Sequence, residues 1–349
     1  MSKDKKVIVT GNQGFIGVWL TYKFYKLGYK VYGIDNRSSY GERLFDKAKL
    51  DNIVTKQYNE DISDIEKMKL IISEIEPDLI INMAGQAIVP RAFEQPHYTF
   101  MTNAVGTLSI LEAAKSTKNT KSVICITSDK VYENVSQIWG YRETDKLGGK
   151  DIYSVSKSTA ELISSCYART HLSENGINIQ TVRLGNVVGG GDWSVNRLIP
   201  DLMNSIQQKT NFYIRYLKAT RPFQHVLDVV DGVYKISMAS LENQLESGDC
   251  WNLGPKNNSY EVVENVIAMC KTIWPEVKIL QNENNIKEDL TLSVDVSKLK
   301  HRFGEPKYES KEAIQKTFNW YRAYYDGNTH LIDLIEKDFE TYEDKNEII

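Results

Sequence analysis

The stretch Lys6-Val-Ile-Val-Thr-Gly-Asn-Gln-Gly-Phe-Ile-Gly17 decides the fold. A short run of apolar and β-branched residues passes into glycines at 11, 14 and 17, and helical periodicity begins at once, from Ile16 to Leu27. A strand buried on both faces reads as a continuous apolar run. A turn without side chains lets an anion reach the amides that open the next helix. Glycine spacing alone is a weak signal, but here it lies between strand and helix. Asp35 also closes the second strand, Lys30-Val-Tyr-Gly-Ile34, twenty-four residues after Gly11. A carboxylate at that place accepts from both ribose hydroxyls of a dinucleotide and repels a 2′-phosphate. NAD is therefore the expected cofactor, and NADP the less favoured one. Arg37 and Ser38, just past the acid, are the residues that argue for NADP.

Outward from this turn the pattern repeats. Leu79-Ile-Ile-Asn82 and Ser122-Val-Ile-Cys-Ile126 read as buried parallel strands, with a weaker run near Ile53 to Tyr58. Helical stretches fall at Ile62 to Ile75 and Tyr98 to Ser116; another, from about 152, is closed by Asn175-Gly176 before a strand from Gly176 to Leu184. Alternating β and α over this length predicts an α/β fold, a Rossmann-type doubly wound parallel sheet with a smaller C-terminal substrate lobe. The dinucleotide domain is placed at residues 1–185, with a returning segment at about 225–250 that holds a helix from Asp228 to Leu241. Residues 186–349 are read mainly as the substrate lobe: a loop at Gly189-Gly-Gly-Asp-Trp193, an isolated strand from Phe212 to Tyr216, and a basic loop around Arg221. Trp251-Asn-Leu-Gly254 and the chain to about 325 are expected to cap the substrate, and the acidic, aromatic last twenty residues to form a final helix with a frayed end.

The net charge of −3, with both signs interspersed, gives no electrostatic case for nucleic acid or an anionic membrane. No apolar run approaches the roughly 18 residues of a membrane span, and the charged N-terminus passes straight into a strand, so a cytoplasmic protein is expected. Cysteines 125, 166, 250 and 270 are scattered without a Cys-x-x-Cys spacing, which predicts free thiols, Cys125 a buried one, and no metal site.

The chemistry is carried by Asp151-Ile-Tyr-Ser-Val-Ser-Lys157 and by Ser128-Asp-Lys130 upstream of it. Tyr153 and Lys157 are one helical turn apart. An ammonium beside a phenol lowers its pKa from about 10 and suits it to act as a base. Ser128 is placed to hydrogen-bond a substrate hydroxyl. Asp129 and Lys130 form a second acid/base pair at the C-terminal end of a strand, where open α/β sheets gather ligands. Oxidising an alcohol needs only the first pair, whereas eliminating water afterwards needs both. Arg183, Asn186, Arg197 and the run Arg221-Pro-Phe-Gln-His225 offer donors to a diphosphate and a nucleobase.

Over almost its whole length the chain resembles the extended short-chain dehydrogenase/reductase superfamily and, within it, the CDP-glucose 4,6-dehydratases. The shared stretches include Asn103-Ala-Val-Gly-Thr107, Ile126-Thr-Ser-Asp-Lys-Val-Tyr-Glu-Asn134, Trp139-Gly-Tyr-Arg-Glu143 and Tyr153-Ser-x-Ser-Lys157. Gly185-Asn-Val-Val-Gly-Gly-Gly-Asp-Trp193, Arg197-Leu-Ile-Pro-Asp201 and Gln224-His-Val226 follow. The dTDP-glucose relatives look like Thr-Asp-Glu where this chain has Ser-Asp-Lys, so the lysine points to the CDP-sugar branch. The resemblance implies that Tyr153 takes the C4 hydroxyl proton during oxidation, that Lys130 removes the C5 proton, and that Asp129 protonates the departing C6 hydroxyl. Hydride then returns to C6, leaving a 4-keto-6-deoxy sugar nucleotide.

It also implies a set of cofactor contacts: Gly11, Gln13, Gly14, Phe15, Ile16 and Gly17 in the turn; Asp35, Asn36, Arg37, Asp61 and Ile62; Met83, Ala84, Gly85, Gln86 and Asn103; and Tyr153 with Lys157. The substrate contacts are Asn186, Arg197, Leu198, Arg221, Gln224, His225 and Asn252. The family's Gly-Phe-Lys-Gly, Gln-Pro-Leu-Val-Arg, Arg-Pro-Trp and His-Glu-Ala become Ile16 in the turn, Gln86-Ala-Ile-Val-Pro90 with Arg91 one place later, Arg221-Pro-Phe223 and Lys287-Glu-Asp289. These changes bear on which nucleobase and hexose are taken. The rival readings are a nucleotide-sugar 4-epimerase, a 4,6-dehydratase of another nucleotide sugar, and a regulator that binds NAD without turnover. A homodimer, or a dimer of dimers, is expected through helices at about 98–116 and 152–174, along Leu108, Leu111, Ala114, Leu162, Ile163 and Tyr167.

Overall fold

Val7 and Val9 enter one hydrophobic cluster and Ile8, between them, enters another, and all three are fully buried. This period-two alternation, with apolar partners on both sides, makes a strand the centre of a sheet covered on both faces. The computed structural model describes residues 4–37, 41–172, 174–214, 216–281, 292–327 and 330–344. Its main sheet has seven strands: β1 (Lys6–Thr10), β2 (Lys30–Ile34), β3 (Lys56–Tyr58), β4 (Leu79–Asn82), β5 (Ser122–Ser128), β6 (Asn178–Leu184) and β7 (Asp249–Leu253). Their spatial order is β7-β6-β5-β4-β1-β2-β3, parallel throughout. The order reverses at β1 and β4, where Val7 pairs with Leu79 and Thr10 with Asn82. In a doubly wound sheet the crevice beyond the carboxyl ends at such a reversal is where ligands bind. The doubly wound α/β expectation is met.

One face carries the helices Phe15–Lys26 and Val226–Leu241, and the other carries Ile65–Ile75, Gly106–Ala114 and Ile152–Thr170. The C-terminal helices Ser310–Tyr325 and Leu331–Asp344 join the first face. Phe339 lies 5.7 Å from the ring of Trp19 and stacks at 5.5 Å on Tyr22, whose hydroxyl donates to Glu336 at 2.6 Å. The final helix is thus a cover for the helix Phe15–Lys26.

Three expectations are corrected. Trp251-Asn-Leu does not cap the substrate: it belongs to β7, the edge strand beside β6, because Trp251 and Leu253 reach the same core as Val182 and Leu184. The helix expected from Tyr98 to Ser116 is interrupted, with Pro96–Phe100 and Gly106–Ala114 joined by a π-helical turn over Met101–Val105. Such turns concentrate at functional sites, and this one carries Asn103. The isolated strand is Phe212–Ile214 and pairs in parallel with Ile279–Gln281. Lys287-Glu-Asp289 lies outside the described residues. Two further small pairings, Asn186–Val188 with Phe223–His225 and Thr220–Arg221 with Glu261–Val262, build the lobe beside the carboxyl ends of β5 and β6.

Candidate active site

The glycine turn is tight because backbone meets backbone. Gly11 has φ +68, and a Cβ there would lie 2.8 Å from the Ala84 Cα; one on Gly17 would lie 2.0 Å from the Gly11 carbonyl oxygen. Thr10 fastens the reversal point, its hydroxyl donating to Asn82 Oδ1 at 2.8 Å and accepting from the Met83 and Ala84 N–H groups at 3.1 and 3.0 Å. A continuous cleft follows. Of the expected cofactor contacts, Gly11, Gly14, Phe15, Ile16 and Gly17 line it from the turn, Asp35, Asn36 and Ile62 from one side, and Met83 to Gln86 from the other. Arg91, the arginine displaced by one place from the family's pattern, also lines it, as do Thr102, Ser194 and Val195; no local motif marked the last three, because the chain brings them there only by folding. A side-chain-free floor at a helix N-terminus, with a carboxylate beyond it, fits the pyrophosphate and ribose of a dinucleotide.

At the ribose end Asp35 accepts the Arg37 N–H at 2.7 Å. Burial raises its pKa, opposed by that N–H and by the charge of Arg43. Arg37, at φ +56, turns its guanidinium away: Nε donates to Gln13 Oε1 at 3.2 Å and Nη2 to Asp46 Oδ1 at 2.8 Å. Arg43 lies 3.7 Å from Asp35, and it also bonds Gln13 and Asp46. Sequence reading missed Arg43, since an arginine eight residues past the acid has no motif to mark it. Asn36 donates to Asp61 at 2.8 Å, while Ser38 lies outside the described residues.

The chemical groups gather at the end of β5. Ser128 closes the strand, and the short 3₁₀ turn Asp129–Val131 follows. Asp151 caps the helix Ile152–Thr170 by accepting the Ser154 N–H at 2.9 Å, which places Tyr153 in its first turn. Ser128, Asp129, Tyr153 and Lys157 are only 6–7% exposed, and Lys130 is half-buried. Ser128 Oγ donates to Asp129 Oδ1 at 3.0 Å and accepts the Lys130 N–H at 3.2 Å. Burial raises the Asp129 pKa, against the pull of Lys130. Tyr153 differs from expectation: its pKa is raised, because burial outweighs the hydrogen bond from Ser128 and the charge of Arg197 that pull it down. Lys157, brought down to about 8 by burial, donates to the Ile126 carbonyl at 3.2 Å. A Cβ on Gly85 would lie 3.0 Å from its Nζ, so the lysine reaches the cleft wall. Asn103 holds Gln86 by accepting its N–H at 2.8 Å and donating to its carbonyl at 3.1 Å, and it donates to Ser156 Oγ at 2.9 Å.

A family profile described as GDP-mannose 4,6 dehydratase matches residues 8–321. The chain belongs to that family. The CDP-glucose 4,6-dehydratase of Salmonella typhimurium is 34% identical over 338 residues, which cover 95% of this chain and 94% of that protein. Among solved structures, the fold is shared with the dTDP-glucose 4,6-dehydratase of Bacillus anthracis in complex with NAD (TM-score 0.76, 21% identity, 91% and 97% of the two chains covered). It is shared too with the UDP-glucose 4-epimerase of Thermotoga maritima with UDP-glucose (TM-score 0.77, 22% identity, 91% and 99% covered).

On the substrate side of this family member, Arg197 lines the cleft 3.6 Å from Asp192, and its charge reaches Tyr153. The charge of Arg221 reaches Asp129. A Cβ on Gly185 would lie 3.3 Å from Asp129 Oδ2 and 3.6 Å from Gln224 Nε2, an amide nitrogen that is buried and unpartnered among the described residues. Asn186 is exposed beside them, and Leu198 opens the helix Leu198–Gln208. Three of the expected ligands are buried with partners inside the protein, although His225 Nε2 has none among the described residues. Arg183 is buried against Glu161 on the tyrosine helix, donating from Nε at 2.9 and 3.0 Å and also from Nη2. Asn252, fully buried, accepts from Tyr132 at 2.7 Å and donates to the Tyr141 and Asp295 carbonyls. His225 is buried with Nδ1 accepting the Leu227 N–H at the start of a helix, and burial takes its pKa to about 3. Donor chemistry and the family resemblance marked them as ligands, and neither reports the partners that folding supplies.

Glu161 also accepts from Thr127 Oγ1 at 3.1 Å, so the pair joins β5, β6 and the tyrosine helix. Replacing one partner of a buried ion pair leaves the other charge unpaired, at about 3–5 kcal/mol. Arg183→Met is expected to lose stability of that order in urea denaturation, and adding Glu161→Gln should recover a large part of it. A single variant as stable as the wild type would show that the pair does not hold the helix.

Proposed function

We propose that this chain converts CDP-glucose to the 4-keto-6-deoxy sugar nucleotide by oxidation at C4, elimination of water across C5–C6 and reduction at C6. The observation that carries the reading is the buried Asp129, with Lys130 beside it, adjoining Ser128 and Tyr153. An oxidation site alone has no use for a second acid and base. NAD is the cofactor of this reading, held by the glycine turn, Asp35 and Lys157. The chemistry that a bound dinucleotide supplies is storage of the hydride between C4 and C6. Ser128 orients the C4 hydroxyl and Tyr153 takes its proton. Lys130 takes the proton at C5, which the C4 ketone makes acidic. Asp129, whose burial favours the protonated form, gives its proton to the departing C6 hydroxyl. Arg197, Arg221 and Gln224 hold the nucleotide diphosphate and sugar. A cytoplasmic setting goes with this reading and is supported by four free cysteines.

Mass spectrometry of CDP-glucose incubated with the protein is expected to show loss of one water. A mass-neutral C4 epimer would favour the epimerase reading, and no turnover across a nucleotide-sugar panel the regulator. Lys130→Met should keep the fold and lower turnover by about 10²-fold or more, with solvent deuterium no longer entering C5. Near wild-type turnover would remove Lys130 from the role of base.

The Arg37 guanidinium is engaged by Gln13 and Asp46, and Asp35 faces the ribose end of the cleft, which supports NAD over NADP. Dinucleotide extracted from protein purified without added cofactor should be chiefly NAD. Chiefly NADP would transfer the binding role from Asp35 to Arg37.

A homodimer belongs to the same reading. Leu162 is 58% and Val155 38% exposed on the tyrosine helix, whereas Leu111 and Ala114 are buried in the chain's own core and cannot pair outward. The C-terminal helices cover the opposite face. Light scattering at micromolar concentration should give about twice the 40.0 kDa of one chain; the mass of a single chain would refute the dimer.

A further inference from the structure

We propose that Asp46 sets the choice between NAD and NADP, by holding the guanidiniums of Arg37 and Arg43 away from the place a 2′-phosphate would take. The inference rests on the NAD reading above. Two acceptors divide the two arginines between them. Asp46 Oδ1 accepts from Arg37 Nη2 at 2.8 Å, and its Oδ2 lies 3.2 Å from Arg43 Nε. Gln13 Oε1, in the glycine turn, accepts from Arg37 Nε and from Arg43 Nη1, both at 3.2 Å. The arrangement lies against Asp35: the Arg37 N–H donates to Asp35 Oδ1 at 2.7 Å, and Arg43 Nη1 is 3.7 Å from the same oxygen. Two arginines and two aspartates thus meet at the ribose end of the cleft, and their formal charges cancel.

A phosphate monoester carries about −1.5 to −2 charges at neutral pH, and beside Asp35 it is repelled as like charge. It is held there only if guanidiniums answer it, and their planar forks suit phosphate oxygens. Two guanidiniums already stand at this end of the cleft, so their number does not disfavour NADP. The carboxylate that occupies them does. Asp46 engages a donor on each and cancels one of the two positive charges. Without it the cluster carries one net positive charge, and each arginine has a donor to offer. The local backbone does not depend on Asp46, whose side chain is 45% exposed. Its short helix, Leu44–Lys47, is fixed from below by the buried Leu44 and Phe45, and Lys47 bonds Glu42 and Tyr324. Cofactor choice therefore follows from what the arginines are paired with.

Competition between the two dinucleotides tests the latch. Protein is equilibrated with NAD and NADP at known ratios, carried to one end point from material loaded with either, and the bound dinucleotides are quantified by mass spectrometry. Asp46→Ala should raise the bound NADP:NAD ratio about tenfold over wild type, the scale of two partly exposed ion pairs given up together. Asp46→Asn, which keeps an acceptor oxygen but not the charge, should move the ratio the same way by less, and it takes the place of the alanine variant if that one does not fold. Adding Arg37→Gln and Arg43→Gln to Asp46→Ala should abolish the gain. An unchanged ratio in Asp46→Ala would overturn the proposal. So would a gain that persists without both arginines, since loss of the Asp46 charge would then be the whole cause. Failure of the NAD reading shows in the wild type itself, as binding chiefly of NADP, and takes the latch with it; a wild type that prefers NAD and a variant that matches it remove the latch alone.

Discussion

The candidate active site depends on a buried ion pair that touches neither Ser128 nor Tyr153. Arg183 on β6 and Glu161 on the tyrosine helix are both removed from water, and Thr127 on β5 bonds the same carboxylate. Such a pair adds little net stability, because desolvation cancels most of its attraction, but displacing either partner is expensive. The result is one allowed position for the helix. Tyr153 and Lys157, eight and four residues before Glu161, share that position and come to rest beside Ser128 at the end of β5. The network continues through Tyr132, which takes a hydrogen bond from Arg183 and gives one to Asn252 on β7. Asn252 in turn holds the Tyr141 and Asp295 carbonyls, so the lobe is tied to the same framework.

A second constraint is the closeness of backbone to backbone in the glycine turn, where a single methyl on Gly17 would overlap the Gly11 carbonyl. The same economy of space recurs at Gly190, where a Cβ would lie 2.1 Å from the Trp320 ring. Gly190 therefore serves packing against the C-terminal helix that carries Trp320, while Gly189 makes room for Val226 and Gly191 for Leu44. Residues over three hundred positions away hold down the helix that follows the nucleotide turn, through Trp19, Tyr22 and Phe339.

Burial sets the electrostatics of the centre. It pushes Asp129 and Tyr153 toward their protonated forms and Lys157 toward its neutral one, each against specific partners. For Asp129 in its proposed role of acid, this environment suits the task. For Tyr153 in its proposed role of base, it is opposed by Ser128 and Arg197 and not, as the four-residue spacing suggested, by Lys157.

The sequence by itself determined what rests on local patterns. The apolar runs and glycine spacing gave the strands, the turn and the order of the first half, since periodicity reports burial directly. Tyr-x-x-x-Lys and Ser-Asp-Lys marked the chemical groups because their spacing and their strand-end position are local facts. Only the tertiary structure decided which polar residues are tied to one another inside the protein. Arg183, His225 and Asn252 are polar like Arg197 and Gln224, yet their partners are Glu161, the Leu227 amide and Tyr132. Arg43 at the ribose end, the π turn that carries Asn103 and the place of β7 beside β6 were likewise invisible, because each is settled by contacts between residues far apart in the chain. A side chain's role follows from what desolvates it and what answers its hydrogen bonds, and those are properties of the folded molecule.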